Sequence, residues 1–320
     1  MRRRSLSILG LSLATVRPAL AQWAPSRPVR IVVGFAPGGP ADVIARVIAD
    51  RLAERLGQSV LVENRIGAGG NIASEHVARA APDGHTLMLA ASALVQNAAM
   101  FPRLPYDPLR DFSAISQLTS YPLIVVVAPS VPATGLTELA ELARRQPGGI
   151  TYGSAGVGTP LHLTGALFGL LAGVEMTHVP FNGAAPAHTA LLGGQVQAIF
   201  HNPVQASPSL RAGLIRPLAV TGEARMPAFP EVRTAAEAGF PGLVASVWHG
   251  LVGPAGIPPP AVARLSAVAA EVMALAEVRA NLGRQGYEVH GTQAEDFAVY
   301  MRAENEKWSD VIRRAQLRVE

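Results

Sequence analysis

The chain has 320 residues, of which 49% are hydrophobic and 16% charged. This composition fits a globular protein with two lobes of about 100–150 residues each and excludes a disordered chain. The sequence contains no cysteine, which excludes disulfides, cysteine-ligated zinc, iron–sulfur clusters and thiol nucleophiles. The formal net charge is +4, but four arginines and no acid lie in the first 21 residues, so the remainder carries 23 basic and 23 acidic residues. With one lysine, Lys307, and scattered arginines, the chain lacks the basic stripe that binds nucleic acid.

The N-terminus is typical of an export signal. Positively charged residues 1–4 precede a mostly apolar run over 6–16, and Ala19-Leu-Ala21 has the small residues of a cleavage site. The run is shorter than the roughly 20 apolar residues of a membrane span, and a lipid anchor is excluded because no cysteine follows. We therefore predict a signal peptide over 1–21, cleaved near Ala21, and a periplasmic protein. General secretion is the preferred route, and twin-arginine export is the alternative.

Strand, glycine-rich turn and helix alternate along the first part of the mature chain. Strands are predicted over 29–34, 59–63 and 86–91. The first glycine turn, Phe35-Ala-Pro-Gly-Gly-Pro-Ala-Asp42, and the second, Gly67-Ala-Gly-Gly-Asn71, each lead into a helix. This alternation predicts a doubly wound α/β fold with helices flanking a mostly parallel sheet.

The pattern then repeats in a second unit. Two short strands, over 115–118 and 122–128, are expected around a break at Ser120-Tyr121. The third glycine turn, Gly153-Ser-Ala-Gly-Val-Gly-Thr-Pro160, joins a strand over 150–152 to another helix. Further strands are expected over 175–179, 196–200, 215–220 and 247–252, and helices over 136–145, 186–192, 258–275 and 293–315.

The glycine turns are candidate anion sites. The first N–H groups of a helix lack intrahelical partners and lie at the positive end of the helix dipole, so they bind anions without a cationic side chain. The first and third turns contain no lysine or arginine, but Ser154 and Thr159 add hydroxyl groups. A single turn of this kind is as readily explained by loop shape alone, whereas two turns at corresponding places in two lobes indicate a shared cleft.

Cofactor, metal and enzyme signatures are weak. The second turn has isoleucine where a dinucleotide fingerprint needs its third glycine, and no phosphate-binding G-x-x-x-x-G-K motif exists, so no cofactor is predicted. The histidines show no close ligand pair, so no metal site is predicted. Tyr152-Gly-Ser-Ala-Gly156 resembles a nucleophile elbow with tyrosine at its first glycine, which leaves a serine hydrolase using Ser154 as an alternative. Its base would be one of His178, His188, His201, His249 and His290, and spacing does not select among them.

Three polar residues have separate interpretations. His162 follows Thr159 on the first helical turn and either packs in the core or faces a ligand. His201 ends an apolar strand, and the carboxyl ends of strands line the crevice in open α/β sheets. Asp42 is interpreted as a partner of a helix N-terminus rather than as an acid catalyst.

Taken together, the ordered motifs resemble the substrate-binding subunits of tripartite tricarboxylate transporters, the Bug family of periplasmic receptors. The matching segments span nearly the whole mature chain: Pro28-Val-Arg-Ile-Val-Val-Gly-Phe-Ala-Pro-Gly-Gly39, Val62-Glu-Asn-Arg65, Gly67–Asn71, Pro82-Asp-Gly84, Leu104-Pro-Tyr-Asp107, Tyr152–Gly156, Val179-Pro-Phe-Asn-Gly183, Leu191-Leu-Gly-Gly-Gln-Val196, Arg216-Pro-Leu-Ala-Val-Thr221, Glu237-Ala-Gly239 and Gly253-Pro-Ala-Gly256.

The resemblance implies a type II periplasmic-binding-protein fold with two lobes, each a doubly wound mixed sheet flanked by helices. Lobe I is expected over 22–124 plus 226–320 and lobe II over 125–225, with the ligand cleft between them. The implied ligand is a small carboxylate, such as a di- or tricarboxylate, an amino acid or an aromatic acid. The protein would be a monomer that delivers this ligand to membrane-embedded transporter subunits and catalyses no reaction. A sensory receptor with the same fold is the other alternative.

The implied ligand-binding residues come from both lobes. They are Phe35, Pro37, Gly38, Gly39, Asp42, Ala91, Ser92, Ser154, Gly158, Thr159, His162, Phe181, Asn182, Gly183 and His201. Two of them depart from the family pattern. Phe181 stands where tyrosine is common, and His201 where an acidic residue is frequent, so the ligand preference of this chain is expected to differ.

Overall fold

Two mixed sheets with flanking helices make up the protein in a computed structural model that describes residues 23–101 and 103–317. The predicted signal peptide lies outside the described residues. The helices are α1 Pro40–Leu56, α2 Asn71–Ala78, α3 Ala93–Met100, α4 Leu136–Arg145, α5 Pro160–Ala172, α6 Ala184–Leu192, α7 Pro203–Arg211, α8 Pro259–Ala274, α9 Ala276–Arg284 and α10 Ala294–Arg314. No helix within the described ranges has both the length and the apolar character needed to cross a bilayer.

The sheet of lobe I has six strands. These are β1 Val29–Val33, β2 Val60–Asn64, β3 Thr86–Ala91, β4 Phe112–Pro122, β10 Ser246–Pro254 and β11 Glu288–Val289, in the order β11-β4-β10-β3-β1-β2. The sheet of lobe II contains β5 Ile124–Val127, β6 Thr151–Ser154, β7 Thr177–Pro180, β8 Ala198–His201 and β9 Arg216–Val220, in the order β7-β6-β8-β5-β9. Strands β1, β2 and β3 run parallel, as do β6, β7 and β8. The predicted α/β fold class is therefore confirmed.

The two sheets share one topology. In lobe I the antiparallel strand β10 lies between β3 and β4, and in lobe II the antiparallel strand β5 lies between β8 and β9. The strand β1 therefore corresponds to β6, and the turn that follows β1 corresponds to the turn that follows β6. The first and third glycine turns thus occupy equivalent places in the two lobes.

The chain passes from lobe I to lobe II through a single residue, Leu123, between β4 and β5. The expected break at Ser120-Tyr121 is wrong, because Ser120 pairs with Trp248 and Tyr121 with Val247 in the ladder between β4 and β10. This cross-strand pairing, which is remote in sequence, extends β4 to Pro122. The break falls instead beside Leu123, where the chain changes sheets.

The C-terminal helix α10 packs against both lobes. Phe297 and Met301 in its first half are buried with residues of lobe I, whereas Trp308 and Ile312 in its second half are buried in the core of lobe II. The segment 226–245 also contributes buried side chains to the lobe II core, although sequence analysis assigned it to lobe I. The exact lobe boundaries remain a prediction.

Candidate ligand-binding cleft

The first glycine turn is held in shape by Asp42. The carboxylate of Asp42 accepts a hydrogen bond from the Gly38 N–H at 2.9 Å, two from the guanidinium of Arg46, and one from Asn64 Nδ2 at 2.9 Å. The hydrogen bond from Arg46 is the largest cause that lowers the pKa of Asp42 to about 2, against the opposing effect of burial. Asp42 is therefore an ionised anchor inside its own turn, consistent with a structural interpretation of this residue.

The same turn leaves backbone donors free. Gly38 has a φ of +78°, a conformation that glycine adopts without strain, and it lies exposed beside Pro37. The N–H groups of Ala36 and Ala41 have no hydrogen-bond partner among the described residues. Because Ala41 lies in the first turn of the 17-residue helix α1, its N–H is at the positive end of the helix dipole.

Two histidines contact the third glycine turn and support it. Gly158 N–H donates to His162 Nδ1 at 3.1 Å, and the Ser154 hydroxyl lies 2.6 Å from His178 Nε2. The rings of His162 and His178 stack with centroids 3.8 Å apart. Burial lowers the pKa of His162 to about 3 and that of His178 to about 4, so both imidazoles are neutral near pH 7.

This turn also has free main-chain donors. The Thr159 hydroxyl is used within the turn, where it donates to the Gly156 carbonyl at 2.7 Å. In the described part of the chain, no partner accepts from the N–H groups of Ala155, Val157 or Leu161. Leu161 belongs to the first turn of α5, the helix that corresponds to α1.

The glycine turns of the two lobes meet at Asn97 on α3. Asn97 Nδ2 donates to Asn71 Oδ1 at 2.7 Å and lies 3.5 Å from the Gly69 carbonyl, which fixes it to the second turn. A Cβ atom placed on Gly158 of the third turn would lie 3.6 Å from Asn97 Oδ1. The second turn also touches the first, because a Cβ atom on Gly70 would lie 3.5 Å from the Phe35 ring. All three turns therefore converge on one region between the lobes.

A fourth turn, residues 181–183, joins β7 to α6 beside the third turn. Phe181 N–H donates to the Ser154 carbonyl at 3.1 Å, and the Phe181 ring lies 3.4 Å from the position of a Cβ atom on Gly153. Asn182 is exposed, and Gly183 has a φ of +121° at the start of α6. The ring of Phe181 is therefore close to the third turn and only partly buried.

The remaining predicted residues lie at strand ends but use their polar groups internally. Ser92 exchanges two hydrogen bonds with the backbone of Trp248, which joins β3 to β10, and Ala91 pairs with His249. His201 has no exposed surface, and its Nε2 lies 2.9 Å from His188 Nδ1, between α6 and α7. Burial lowers the pKa of His201 to about 3, with a further contribution from His188. The structure thus places His201 beside other side chains of lobe II.

The Ser154–His178 contact bears on the hydrolase alternative. The distance suits a nucleophile and its base, but Ser154 has no exposed surface and its Oγ also accepts the Gly156 N–H at 3.1 Å. Among the described residues, no carboxylate orients His178 through a hydrogen bond. The arrangement stabilises the turn and lacks an accessible nucleophile.

Several residues of the cleft were not identified from sequence. Asn97 and Tyr106 both bond to Asn71 Oδ1, and Asn64 joins the first turn through the Phe35 carbonyl at 3.0 Å. Asn64 and Asn71 did lie in motifs that mark the family, but no local signal showed that the second turn, α3 and Tyr106 form one hydrogen-bonded group. That grouping depends on tertiary packing.

The chain is similar to known proteins in both sequence and overall structure. A family model described as "Tripartite tricarboxylate transporter family receptor" matches residues 44–317. The periplasmic binding protein BugD is 30% identical, with a TM-score of 0.77 over 92% of this chain and 100% of its own. The adipate complex of Rpa4515 from R. palustris is 35% identical, with a TM-score of 0.80 over 91% of this chain and 98% of its own. MatC from Rhodopseudomonas palustris with bound malate is 36% identical, with a TM-score of 0.77 over 90% and 99%.

These matches cover most of the chain in both sequence and structure, and they confirm the predicted family. The homologues are periplasmic solute-binding proteins rather than enzymes. The chain belongs to the tripartite tricarboxylate transporter receptor family, whose members are two-lobed periplasmic solute-binding proteins.

Proposed function

We propose that the protein captures a small carboxylate in the cleft between its lobes and releases it, unreacted, to membrane-embedded subunits of a tripartite tricarboxylate-type transporter. The observation that carries this proposal is that the second and third glycine turns meet at Asn97 and the first turn contacts the second, with free N–H groups on the first and third turns. Two relatives of known structure hold adipate and malate, which are both dicarboxylates.

Main-chain N–H groups are sufficient to bind a carboxylate. The free N–H groups of Ala36 and Ala41 face a carboxylate from one lobe, and those of Ala155, Val157 and Leu161 from the other. Each charge-assisted hydrogen bond contributes about 1.5–3 kcal/mol when water is excluded. A few such bonds, less the cost of closing the lobes, give the roughly 8 kcal/mol of a micromolar complex.

The predicted site residues divide into two groups under this proposal. Those with exposed or partly exposed atoms contact the ligand directly: Phe35, Pro37, Gly38, Gly39, Thr159, Phe181, Asn182 and Gly183. Among the buried residues, Asp42, Ser154 and His162 support the turns. Ser92 and His201 contact other residues of their own lobes, and Ala91 and Gly158 are buried without a polar side chain. The first group provides mostly backbone contacts, so specificity among carboxylates depends on the spacing of the turns and on Phe181.

Hinge closure follows from the connections between the lobes. Leu123 alone links β4 to β5, and such a short connection bends without disturbing either sheet. A carboxylate that contacts both lobes binds the closed form better than the open form and shifts the population towards it. The closed form is then the form that the membrane subunits recognise.

Calorimetric titration with malate, adipate, citrate, glutamate and benzoate tests this function. At least one acid is expected to bind with a Kd in the micromolar range. Gly158→Ala should weaken that binding tenfold or more, because the added methyl group enters the narrow space beside Asn97 and Met100. Gly239→Ala is the matched control, since Gly239 has a similar positive φ but open space around it. Failure of every acid to bind the wild-type protein, or equal losses in the two variants, would reject the proposal.

Export and partnership need separate tests. N-terminal sequencing of protein recovered from the periplasm should show removal of residues 1–21, and light scattering should show a monomer. Uptake of the identified acid by cells should require both this receptor and the membrane subunits. Normal uptake in a receptor deletion, together with altered gene expression, would instead identify a sensory receptor.

A further inference from the structure

A hollow in lobe II, apart from the proposed cleft, is lined in part by the two stacked histidines. It has a volume of about 430 Å³ and is bounded by α5, the edge strand β7 and the C-terminal end of α10. We call it the α5–α10 cavity. Gly165 and Gly169 on α5 and Gly173 just after it line this cavity, and the Tyr152 ring packs directly against Gly165.

His162 presents a free polar group among the residues that line this cavity. Only 3% of its surface is exposed, and its Nδ1 is occupied by the Gly158 N–H. An imidazole that accepts at Nδ1 carries its proton at Nε2 when neutral. No described residue accepts a hydrogen bond from that Nε2–H. The Nε2–H is therefore available to a ligand in the cavity that accepts a hydrogen bond.

The other lining residues indicate the polarity and charge of such a ligand. Ala166, Leu170, Met176 and Leu317 give the cavity a mainly apolar lining. Glu175 is the charged side chain among its lining residues, and a negative charge there disfavours an anion. The neighbouring histidines are neutral and offer no compensating positive charge.

We propose that the α5–α10 cavity is a second binding site, distinct from the cleft, for a small neutral molecule that combines an apolar ring with one hydroxyl or carbonyl oxygen. Its volume is in the range of pockets that hold small molecules. The oxygen accepts from His162 Nε2–H, while the ring contacts Ala166 and Leu170. The site does not depend on the proposed carboxylate function.

Ligand-detected NMR titration of the mature protein with p-cresol and with toluene tests the proposal. The two probes have almost the same shape and differ in the hydroxyl group. We expect p-cresol to bind at least fivefold more tightly than toluene. Saturation of the cleft with whichever acid binds it should leave p-cresol binding in place, whereas displacement of p-cresol by that acid would assign it to the cleft and overturn the proposal.

Substitutions test whether p-cresol binds in the α5–α10 cavity. Ala166→Leu fills the cavity and should weaken p-cresol binding tenfold or more, while Ala303→Leu, the same change on the exposed face of α10, should leave it unchanged. His162→Asn retains an acceptor near the position of Nδ1 but removes the Nε2–H, so it should abolish the preference for p-cresol over toluene. Leu170→Phe serves as a second cavity-filling variant if Ala166→Leu does not fold. Unchanged p-cresol binding in a folded cavity-filling variant would refute the site.

Discussion

Asn97 Oδ1 of lobe I lies 3.6 Å from the place that a Cβ atom on Gly158 of lobe II would occupy. This contact joins the third glycine turn to the second, because the amide nitrogen of Asn97 is bonded to Asn71. At this point the lobes therefore meet through a buried side chain whose orientation is fixed from lobe I.

Removal of the Asn97 amide should destabilise the protein. Asn97→Ala leaves Asn71 with only the Tyr106 hydroxyl as a donor, and we expect the free energy of unfolding to fall by about 1–2 kcal/mol. Urea denaturation measures the change. Asn281→Ala on α9 is the control, since Asn281 accepts from Gln285 in a partly exposed pair and should cost less than about 0.5 kcal/mol. Equal losses would mean that the Asn97 hydrogen bond contributes little.

Asp42 should stabilise the protein in a pH-dependent manner. Its pKa is lowered from 3.8 to about 2 in the folded protein, so the unfolded chain binds the proton more readily. The stabilisation is therefore fully present above about pH 5 and is lost as the pH falls towards 2. Asp42→Asn should reduce the free energy of unfolding by about 1–3 kcal/mol at pH 7, with a difference from wild type that shrinks below pH 4.

Urea denaturation at pH values from 2 to 7 measures this effect of Asp42. Asp50→Asn, an exposed change on the same helix, provides the control. A loss in Asp42→Asn that stays constant down to pH 2 would show that the carboxylate charge is not its cause.

The stacked histidines should make the protein sensitive to mild acid. Burial lowers the pKa of His162 from 6.5 to about 3, so below pH 6.5 the unfolded chain takes up a proton that the folded protein excludes. This exclusion costs about 1.4 kcal/mol of stability per pH unit between pH 6 and 4. Urea unfolding of His162→Asn should show a slope lower by about this amount, while His76→Asn, at a partly exposed site, should change the slope less. Identical slopes in wild type and His162→Asn would contradict the prediction.

Gly165 should be intolerant of any side chain. A Cβ atom there would lie 2.2 Å from Tyr152 Cε2, so Gly165→Ala forces the buried ring to move and should cost about 1–3 kcal/mol despite the better helix propensity of alanine. Gly283→Ala on α9 has open space and should instead gain about 0.5–1 kcal/mol. Thermal and urea unfolding compare the two, and stabilisation by both would show that Tyr152 adapts freely.

Local patterns predicted much of the architecture. The strand β3 was placed at its observed residues, and the helices α4, α6, α8 and α10 were placed to within two residues, because apolar periodicity and, for several of them, glycine or proline at an end mark them. Helices α3, α7 and α9 were missed. Helix α3 begins at Ala93, separated from β3 by Ser92 alone, and neither glycine nor proline marks that change. For α7, the Asn202 side chain caps the start by accepting from Val204 N–H at 2.8 Å, a cue that the sequence did contain.

The sequence predicted the glycine turns, and the role of these turns in binding a ligand stays a prediction. Glycine turns without cations, placed at equivalent points of two units, indicated an anion cleft because the chemistry belongs to the backbone and glycine marks it. The sequence did not predict the hydrogen-bond partners of the polar side chains. His201 ends a strand, as expected, but its imidazole pairs with His188, which lies on a helix that the sequence could not orient.

By itself, the sequence determined the α/β alternation, the glycine turns and the family to which the protein belongs, since these depend on neighbouring residues and on ordered motifs. Only the tertiary structure decided that β4 continues through Ser120, that Asn97 joins the turns of both lobes, and that His162 lines a hollow beside α5. These features depend on contacts between segments that are distant along the chain, and no local pattern encodes which of them will meet.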